Sequence, residues 1–400
     1  MKYDVTIVGA GPAGSTAAKF LSEKGFKVIL IDKDKFPRDK PCGGGLPARV
    51  LDRFDYVNNE RFIEAYSYGG TAFSPSLKSK IEAEKKTPII ATALREKFDF
   101  ELVKAAKKSG AILIDGKAIN DVNIFNDKAR VILKDGTTID SEIVVGADGV
   151  WSVIAKKTGL RKKGYDRGVC VLQEFKVDET VLDKYFGKKR KCYIHARFQN
   201  INGYGWIFPK KNHLNIGLGR VWVAKGKKIN LLEYYKDYIS FLKKSKLIPE
   251  KLKEVPIKGG ALPIFPLEKT YSNRVILIGD AAGFINPVTG EGIYYAMASG
   301  EIAAKVVSEA LEKGKTDEDF LYKYEKSWKK DFGKDLKIIY NTIKKREKGN
   351  AEKVFEIISK DKRLSELFIG VITGELSVQK YKWKIVKRYV YNSLKYRFGK

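Results

Sequence analysis

The sequence has few of the residues that build metal centres and disulfide scaffolds. Its 400 residues include three cysteines and two histidines. Cys42, Cys170 and Cys192 are widely spaced and form no C-x-x-C pair, which excludes a disulfide scaffold and a cysteine zinc site. His195 and His213 lie eighteen residues apart, a spacing that is not typical of metal ligands. The sequence therefore predicts no metal site.

A long apolar run is also missing. The longest stretch without a charged residue is 5–18, which is shorter than the roughly 18–20 apolar residues that a membrane-spanning helix needs. The chain opens directly into the strand pattern Val5-Thr6-Ile7-Val8, with no basic and apolar leader before it. These features predict a cytoplasmic protein.

Acidic residues are too few to balance the basic ones. There are 77 Lys and Arg against 48 Asp and Glu, a formal net charge of +29. Such an excess attracts nucleic acid, an anionic membrane surface or a phosphorylated substrate, and alone it does not choose among them. Lysine-rich surfaces are also common in heat-adapted proteins, which would explain the charge without a partner. With 44% hydrophobic residues, the chain can bury a large core and form two or three domains.

The first 32 residues predict a β-α-β unit that binds a dinucleotide. Apolar patterns indicate a strand over 3–8, a helix from about 11 to 23 and a second strand over 28–31. The joint between strand and helix carries G-x-G-x-x-G at 9–14, where glycines permit a tight turn and a close approach to a diphosphate. Asp32 ends the second strand, where a carboxylate binds ribose hydroxyls.

A second pair of glycine turns lies more than 260 residues later. The segment Gly279-Asp280-Ala281-Ala282-Gly283 follows the predicted strand 275–278, and its carboxylate suits a sugar-alcohol chain. Residues 287–292, P-V-T-G-E-G, open a helix that is predicted to run from about 290 to 311, and its free N–H groups would stabilise the negative charge of a reduced flavin. Together the turns predict one elongated cofactor, with its diphosphate near Gly11 and its ring at 290–292.

The remaining pattern predicts further elements in both classes. A helix is indicated over 95–109, with Gly110 as its stop, and short strands over 112–114, 131–133 and 143–145. Residues 170–218 show β-rich alternation with many aromatics, which indicates a separate sheet, and the chain after Gly314 has a helical, basic pattern. Without a repeat or a low-complexity linker, the domains are predicted to be interleaved.

Several motifs resemble those of a known family. The segment Gly146-Ala147-Asp148-Gly149 with Ser152, and the pair Gly279-Asp280, are similar to the D-G and G-D fingerprints of FAD-dependent enzymes built like p-hydroxybenzoate hydroxylase. Within that group the chain resembles the archaeal geranylgeranyl reductases, which saturate isoprenoid chains of membrane lipids. Its segments 41–46 (P-C-G-G-G-L), 95–102 (R-E-K-F-D-F-E-L) and 204–209 (Y-G-W-I-F-P) look like three of their motifs. Ile201 departs from the last motif, where the family has proline.

The resemblance implies the fold and the division into domains. It implies a mixed α/β fold in which a Rossmann-type FAD-binding domain is interleaved with an antiparallel β-sheet substrate domain, followed by a helical C-terminal region. We expect the FAD-binding domain to comprise residues 1–70, 95–165 and 270–312. The substrate domain is expected over 71–94 and 166–269, and the basic helical region over 313–400.

The resemblance and the glycine motifs together imply the site residues. The expected cofactor is FAD, and the residues expected to bind it are Gly9, Gly11, Pro12, Ala13, Gly14, Asp32, Cys42, Gly43, Gly44, Arg95, Asp148, Gly149, Gly279, Asp280, Pro287, Gly290 and Gly292. The expected substrate pocket contains Tyr204, Trp206, Phe208 and Pro209. The catalytic candidates are Cys42, Tyr204 and Trp206.

An isolated alkene is not polarised, so hydride delivery and protonation must be closely coupled. The hypothesis is that reduced FAD gives a hydride from N5 to the more substituted carbon while an acid protonates its neighbour. Aromatic faces at Trp206 and Tyr204 would stabilise cationic character. Cys42 would be the proton source or only a pocket wall, since an ordinary thiol is mostly protonated at neutral pH. A tryptophan–tyrosine pair on a strand is also a common core feature, and this alternative stays open.

The C-terminal segment is strongly basic. Residues 379–400 contain eight Lys and Arg and no acid. On a helix, Trp383, Val386, Val390, Leu394 and Phe398 form one apolar stripe flanked by lysines. The stripe would dock on the protein or lie on an anionic bilayer. The second alternative would place the protein peripherally at the membrane surface.

Two other functions use the same features. A flavin monooxygenase or halogenase shares both fingerprints, although Tyr204 and Phe208 replace residues of the halogenase W-x-W-x-I-P motif. A flavin-containing nucleic-acid binder would use the positive charge, but no nucleic-acid module is recognisable, so nucleic acid is not the expected partner. The expected partners are an isoprenoid lipid and an electron donor. With no second G-x-G-x-x-G after a strand, the donor is predicted to be a ferredoxin or NAD(P)H.

Overall fold

The computed structural model describes residues 2–57, 61–162, 164–165, 167–221, 229–346 and 350–398, and the side chains of 343–346 and 397–398 lie outside this description. The chain divides into two compact units. The first contains Met1–Lys40, Arg95–Asp166 and Leu262–Lys337, and the second contains Pro41–Leu94, Arg167–Ala261 and Ile338–Lys400. Each unit therefore collects three separate stretches of the sequence.

The described residues form strands and helices of both units. The strands are β1 (Lys2–Val8), β2 (Val28–Ile31), β3 (Gly45–Pro47), β4 (Ile63–Ser67), β5 (Gly69–Phe73), β6 (Lys80–Glu84), β7 (Ile90–Ala93), β8 (Ile112–Ile114), β9 (Ile119–Ile124), β10 (Ala129–Leu133), β11 (Thr138–Gly146), β12 (Arg167–Lys176), β13 (Cys192–Ala196), β14 (Gly203–Pro209), β15 (His213–Arg220), β16 (Lys258–Pro263), β17 (Tyr271–Ser272) and β18 (Val275–Leu277). The helices are α1 (Pro12–Glu23), α2 (Ala48–Arg53), α3 (Arg95–Lys108), α4 (Val153–Lys157), α5 (Glu179–Phe186), α6 (Leu231–Lys244), α7 (Ile293–Glu312), α8 (Glu318–Trp328), α9 (Lys334–Arg346), α10 (Ala351–Ser359), α11 (Lys362–Ile372) and α12 (Val378–Phe398).

The first unit is built on a mainly parallel sheet. Its strand order is β17-β18-β11-β1-β2-β8, with β10 and β9 added as an antiparallel extension of β11. The pairs β1–β11, β1–β2, β2–β8 and β11–β18 are parallel. Strands β2 and β18 are buried at every residue, as expected for a parallel sheet covered on both faces. The predicted β-α-β unit and Rossmann-type sheet are confirmed.

Helices α1 and α7 pack closely because their facing residues are small. A side chain at Gly300 would place its Cβ 2.5 Å from the carbonyl oxygen of Ala13. The buried residues of α7 include Ala296, Ala303 and Ala304, so the helix presents little side-chain bulk. This short separation fixes α7 against the helix that follows the first glycine motif.

The second unit contains a seven-stranded sheet and a small three-stranded one. The large sheet has the order β16-β12-β15-β14-β13-β5-β6, and β12, β15, β14 and β13 are successively antiparallel. One face packs on α6, where Leu214 and Ile216 lie in a core with Tyr235 and Tyr238. Gly205 is required there, since its Cβ would lie 2.4 Å from the Tyr238 ring. The separate aromatic-rich sheet predicted over 170–218 is confirmed.

The units differ from the predicted domain division in four segments. Residues 262–269 of the predicted substrate domain and residues 313–337 of the predicted C-terminal region group with the first unit. The predicted FAD-binding domain includes residues 41–70, whereas the structure groups them with the second unit, because β3 and β4 both pair with β7. Residues 338–400 also belong to the second unit, because Phe355, Ile358 and Leu364 share a core with Ile81 of β6. Which function each unit serves stays a prediction.

Helix α12 contacts its unit through a face that the sequence analysis did not single out. Ile385 and Tyr389 pack on the core of α10, α11 and β6, while Asp361 accepts hydrogen bonds of 2.8 Å from Arg388 and Asn392. The apolar stripe instead points outward: its members Trp383, Val386, Val390 and Leu394 are all exposed, and the Trp383 side chain is 65% accessible. The side chain of Phe398, and all of Lys400, lie outside the described residues. The helix is therefore docked, as one of the two alternatives predicted, but through a face other than the apolar stripe.

None of the helices in the described part of the chain combines the length and the apolarity needed to cross a bilayer.

Candidate functional site

The first glycine motif forms a turn that only glycine permits. Gly9 has a φ of +102°, and its Cβ would lie 2.2 Å from the carbonyl oxygen of Ala147. A Cβ at Gly14 would lie 1.8 Å from the carbonyl oxygen of Gly9. These distances are far below van der Waals contact, so the tight turn predicted for this motif requires glycine at both positions.

Gly11 has a different environment from its two neighbours in the motif. Its backbone is extended (φ −70°, ψ −175°), and its Cβ would meet only the Arg38 guanidinium, at 3.7 Å. Pro12 is the first residue of α1, and the first turn of the helix contains no acidic residue. A helix N-terminus with open space and a guanidinium beside it favours an anion.

Asp32 is held at the end of β2 by two backbone amides. Its Oδ2 accepts a hydrogen bond of 2.6 Å from the N–H of Ala10, and its Oδ1 accepts one of 2.9 Å from the N–H of Asp34. Burial raises the pKa of the Asp32 carboxyl, and these hydrogen bonds together with the charge of Arg38 offset part of that effect. The carboxylate is therefore tied directly to the glycine turn.

A buried charge cluster lies in the same unit. The Arg95 guanidinium donates two hydrogen bonds to Asp99, of 2.8 and 2.7 Å, and Arg38 Nη1 lies 2.9 Å from Asp99 Oδ2. The Asp99 side chain is fully buried. Burial alone would raise the pKa of its carboxyl, but the charges of Arg95, Arg38 and Lys40 outweigh burial and hold that pKa below its usual value. Arg95, expected to bind the cofactor, thus pairs with Asp99 and fixes the position of Arg38.

The middle fingerprint stabilises a helix start. Asp148 Oδ2 accepts hydrogen bonds from the N–H groups of Val153 (2.6 Å) and Ile154 (3.2 Å), and Ser152 Oγ accepts one from Ala155 N–H. Burial raises the pKa of the Asp148 carboxyl. Gly149 adopts a φ of +76°, which favours glycine. These contacts give Asp148 and Gly149 a structural role at the start of α4, and their contact with the cofactor stays a prediction.

The two distant glycine motifs are adjacent in the first unit. Gly279 has a φ of +58°, and its Cβ would lie 2.9 Å from the Cβ of Ala13. The N–H of Gly279 donates a 3.0 Å hydrogen bond to Ser299 Oγ, which fixes the turn to α7. Asp280 follows on this turn, with its carboxylate 3.8 Å from Lys40 Nζ. The prediction that both motifs contribute to one site therefore has a direct geometric basis.

The turn before α7 differs in detail from the prediction. The helix begins at Ile293 rather than near 290, and Glu291 Oε1 accepts a 2.7 Å hydrogen bond from Tyr294 N–H. One first-turn amide that was expected to be free is therefore occupied. The preceding loop is closed by Asn286, whose Oδ1 accepts from two backbone N–H groups beyond the buried Pro287, and Gly290 has a φ of +64°. Gly292 lies near Asp280, since a Cβ placed on Gly292 would be 3.5 Å from Asp280 Oδ1.

The cysteine–glycine motif lies in the second unit, against aromatic side chains. The N–H of Gly44 donates to Cys42 Sγ at 3.4 Å. A Cβ at Gly44 would lie 2.0 Å from the carbonyl oxygen of Ala93, and its φ is +73°. A Cβ at Gly43 would lie 2.9 Å from the Phe208 ring and 3.2 Å from Trp206 Nε1. Neither Gly43 nor Gly44 therefore has room for a side chain, because the turn packs directly on β7 and on the aromatic residues of β14.

One face of the large sheet carries Tyr204, Trp206 and Phe208. These residues alternate along β14, so they point to the side opposite α6. The Tyr204 and Trp206 ring centroids are 5.9 Å apart, and the Cβ of Gly217 would lie 2.0 Å from the Trp206 indole, which shows why β15 has glycine there. Trp206 is 6% exposed. By the same alternation Pro209 points to the opposite face from Trp206, unlike the other three expected pocket residues.

The chain is similar to known flavoproteins over most of its length. The family model described as FAD binding domain matches residues 2–331. A digeranylgeranylglycerophospholipid reductase of Methanocaldococcus jannaschii is 33% identical over 342 residues, which cover 82% of each chain. The chain belongs to the geranylgeranyl reductase family of FAD-binding proteins. It is a flavin-dependent oxidoreductase, and its cofactor is FAD.

Two solved structures share the fold of this flavoprotein. A geranylgeranyl bacteriochlorophyll reductase-like protein of Thermoplasma acidophilum superposes with a TM-score of 0.82 at 24% identity, covering 95% of this chain and 98% of that one. The flavin-dependent halogenase CmlS superposes with a TM-score of 0.69 at 21% identity, covering 84% of this chain and 63% of that one. The predicted fold class is confirmed.

The residues of the first unit fit FAD. The turn at Gly9 and Gly14 is closed by backbone atoms, whereas the space at Gly11 is bounded by the Arg38 guanidinium and the N-terminus of α1. A diphosphate needs this combination of open backbone and positive charge. Asp32 accepts a hydrogen bond from the Ala10 N–H of the glycine turn, and it provides a buried carboxylate of the type that binds ribose hydroxyls. Gly9, Gly11, Gly14, Asp32 and Arg38 would hold the adenosine diphosphate half of the cofactor.

Sequence reasoning missed several charged residues of both units. Arg38 and Lys40 lie in a stretch without a glycine motif. The one sequence signal for them was Asp99, an acid among the apolar residues of the 95–102 motif, because an acid buried there would need a basic partner. In the second unit it missed the charged residues Glu174 and Lys210 and the neutral Asn215, which come from β12, the turn after β14 and β15. No spacing rule joins residues from three parts of the chain.

Proposed function

We propose that this flavoprotein hydrogenates carbon–carbon double bonds in the geranylgeranyl chains of membrane lipids or their precursors. The observation that carries the proposal is the packing of the Cys42–Gly44 turn on Phe208 and Trp206, which is so close that a Cβ on Gly43 would lie 2.9 Å from the phenyl ring. An aromatic wall beside a thiol suits an apolar polyprenyl chain. The name of the relative from M. jannaschii supports the same substrate class.

The proposed reaction divides the work between the cofactor and the chain. FAD, when reduced and bound, supplies the hydride equivalent. Cys42 would hold a proton at Sγ, oriented by the N–H of Gly44. Trp206 and Tyr204 would bind the isoprenoid chain, exclude water, and stabilise cationic character at the tertiary carbon through their ring faces. Phe208 would complete the apolar wall. Arg95, Asp148, Gly149, Gly279, Asp280, Pro287, Gly290 and Gly292 remain proposed cofactor contacts.

Hydrogenation can be measured directly on the purified holoenzyme. We expect digeranylgeranylglycerophosphate incubated anaerobically with chemically reduced holoenzyme to gain two hydrogens for each double bond, as measured by mass spectrometry of the extracted lipid. The oxidised holoenzyme under the same conditions is the control and should give no mass increase. Turnover that instead requires oxygen and leaves the lipid mass unchanged would favour the monooxygenase or halogenase alternative, which shares the fold.

The finer partners are also part of the proposal. A ferredoxin or NAD(P)H would deliver the electrons, and the net charge of +29 suits an acidic ferredoxin through electrostatic steering. We place the protein at the cytoplasmic membrane surface, bound peripherally by α12. The outward stripe of Trp383, Val386, Val390 and Leu394 supports this location, because apolar side chains on a helix without acidic residues between 379 and 398 suit an anionic bilayer.

Peripheral binding by the stripe predicts a loss of vesicle affinity on polar substitution. We expect Trp383→Ser/Leu394→Ser to bind vesicles containing one-third anionic lipid about tenfold more weakly, since each substitution removes an exposed apolar side chain that the bilayer would bury. The measurement is co-sedimentation of the holoenzyme. Point substitutions are preferable to deletion of α12, because Arg388 and Tyr389 of this helix pack on the rest of the unit.

The matched control is Tyr322→Ser, which removes a side chain of similar exposure from α8 in the other unit. This variant should bind vesicles as the unmodified protein does. Equal binding by the α12 variant and the control would show that the stripe is not an anchor.

A further inference from the structure

Asn215 connects the cysteine turn to the aromatic wall. It is fully buried on β15, paired in register with Glu174 on β12 and with Phe208 on β14. Its Oδ1 accepts a hydrogen bond of 2.7 Å from Trp206 Nε1. Its Nδ2 donates to the carbonyl oxygen of Cys42 at 3.2 Å and to Glu174 Oε2 at 2.8 Å. One amide therefore binds Cys42 and Trp206 at the same time.

The chemistry of the partners fixes how this amide is oriented. An indole N–H only donates, so it requires the amide oxygen. A backbone carbonyl and a carboxylate only accept, so Cys42 and Glu174 both require the amide nitrogen. Only asparagine and glutamine combine an acceptor oxygen with a nitrogen that donates two hydrogen bonds. Aspartate would have the same shape but would present an acceptor to Cys42 and a negative charge to Glu174.

A buried ion pair between Glu174 and Lys210 stabilises the position of the Asn215 amide. Lys210 is 1% exposed, and its Nζ lies 2.5 Å from Glu174 Oε2. Because an ionised lysine is stable in such a place only when it is paired, Lys210 keeps the Glu174 carboxylate beside Asn215. Lys210 also supports the turn itself, since its Nζ lies 3.2 Å from the position of a Cβ on Gly44. The N–H of Gly44 in turn donates to Cys42 Sγ.

We propose that Asn215 is a positioning residue that couples the orientation of the Cys42 turn to that of the Trp206 indole, with the Glu174–Lys210 ion pair fixing its amide. The inference rests on the proposed function for the importance of Cys42 and Trp206, but the coupling between them is a property of the second unit alone. Asn215 then acts on the reaction through two other side chains rather than by contact with the substrate.

The test compares Asn215→Asp with the unmodified holoenzyme. We expect the kcat for lipid hydrogenation to fall about tenfold or more, the usual effect of losing a buried hydrogen bond to a rigid group, while KM and FAD content change little. A second measurement needs no substrate: the rate of Cys42 alkylation by iodoacetamide, followed by mass spectrometry of the Cys42 peptide, should change at least about fivefold. Cys192 is buried on β13 of the same unit and serves as the internal reference, because only a general loosening of the fold would expose it to alkylation.

Further variants separate positioning from a merely structural role. Glu174→Gln keeps an acceptor for Asn215 but leaves Lys210 unpaired, whereas Glu174→Gln/Lys210→Met removes both charges, so the double variant should recover most of the Cys42 alkylation rate and of kcat. The single and double Glu174 variants also provide the test if the Asn215→Asp protein does not fold. Asn123→Asp, an exposed asparagine on β9, should behave as the unmodified protein.

Three results would overturn the positioning role. The first is an unchanged Cys42 rate and kcat in Asn215→Asp. The second is alkylation of the buried Cys192 together with faster alkylation of Cys42, which would indicate general loosening. The third, decisive where Asn215→Asp does not fold, is a Glu174→Gln variant that alkylates at Cys42 as the unmodified protein does. If the unmodified enzyme fails to hydrogenate the lipid while Cys42 alkylation still responds to position 215, the proposed function is wrong and the coupling stands.

Discussion

Gly11→Val is expected to fold normally and to purify without flavin. The backbone at Gly11 is extended (φ −70°, ψ −175°), a conformation that valine adopts readily, and a Cβ there meets only the Arg38 guanidinium at 3.7 Å. The added side chain would nevertheless occupy the space that a diphosphate needs at the N-terminus of α1. We expect FAD affinity to fall at least about a hundredfold, measured by the flavin absorbance of the purified protein and by titration of the apoprotein.

Two other glycine substitutions serve as controls for this prediction. Gly259→Ala adds a methyl group at an exposed glycine, where the Cβ would lie 3.9 Å from the carbonyl oxygen of Cys170, and this variant should keep its flavin. Gly14→Ala should instead disturb the fold, because its Cβ would lie 1.8 Å from the carbonyl oxygen of Gly9. A yellow Gly11→Val protein with normal FAD affinity would mean that the diphosphate does not bind at this turn.

The cofactor half of the site was predictable because its signals are local. Gly9, Gly11, Gly14 and Asp32 lie within one β-α-β unit. Backbone contacts of the turn require glycine at positions 9 and 14, whereas Gly11 leaves open space at the start of α1. The adjacency of the two glycine motifs followed from the length of the expected cofactor, and the contact between Gly279 and Ala13 agrees with it.

The polar network of the second unit could not be predicted in the same way. Glu174, Lys210 and Asn215 come from β12, the turn after β14, and β15, and only the register of the sheet brings them together. A lysine in a hairpin turn looks solvent-exposed in the sequence, yet Lys210 is buried because Glu174 pairs with it. Without the strand order, each of the three residues looks like an ordinary surface position.

Helix α12 shows why periodicity does not identify a buried face. Both Trp383 with Leu394 and Ile385 with Tyr389 lie at helical spacings, so the sequence offers two apolar faces. The structure selects the second, because the ion pair of Arg388 with Asp361 lies on that side. The first face is left exposed, which a helical pattern alone does not reveal.

Asp99→Leu is expected to destabilise the protein strongly. The Asp99 carboxylate is fully buried and pairs with Arg95 at 2.7 Å and with Arg38 at 2.9 Å. Its removal would take away a buried negative charge from beside two largely buried guanidinium groups, which costs about 3–5 kcal/mol of unfolding free energy. Urea denaturation of the apoprotein at pH 7 measures the change without any contribution from FAD. Asp135→Asn, which breaks an exposed pair with Lys117, is the control and should leave the denaturation midpoint unchanged.

The pH dependence of the same variant gives a second test. The neighbouring charges hold the pKa of Asp99 below its usual value in the folded protein, despite burial, so its carboxyl binds a proton less readily than in the unfolded chain. Its contribution to stability is therefore complete above about pH 4, the usual pKa of an aspartate, and is lost as the pH falls through the lower folded value. The difference in unfolding free energy between the unmodified protein and Asp99→Leu should shrink in that acid range. A difference that stays constant there would mean that Arg95, Arg38 and Lys40 do not lower the pKa of Asp99 in the folded protein.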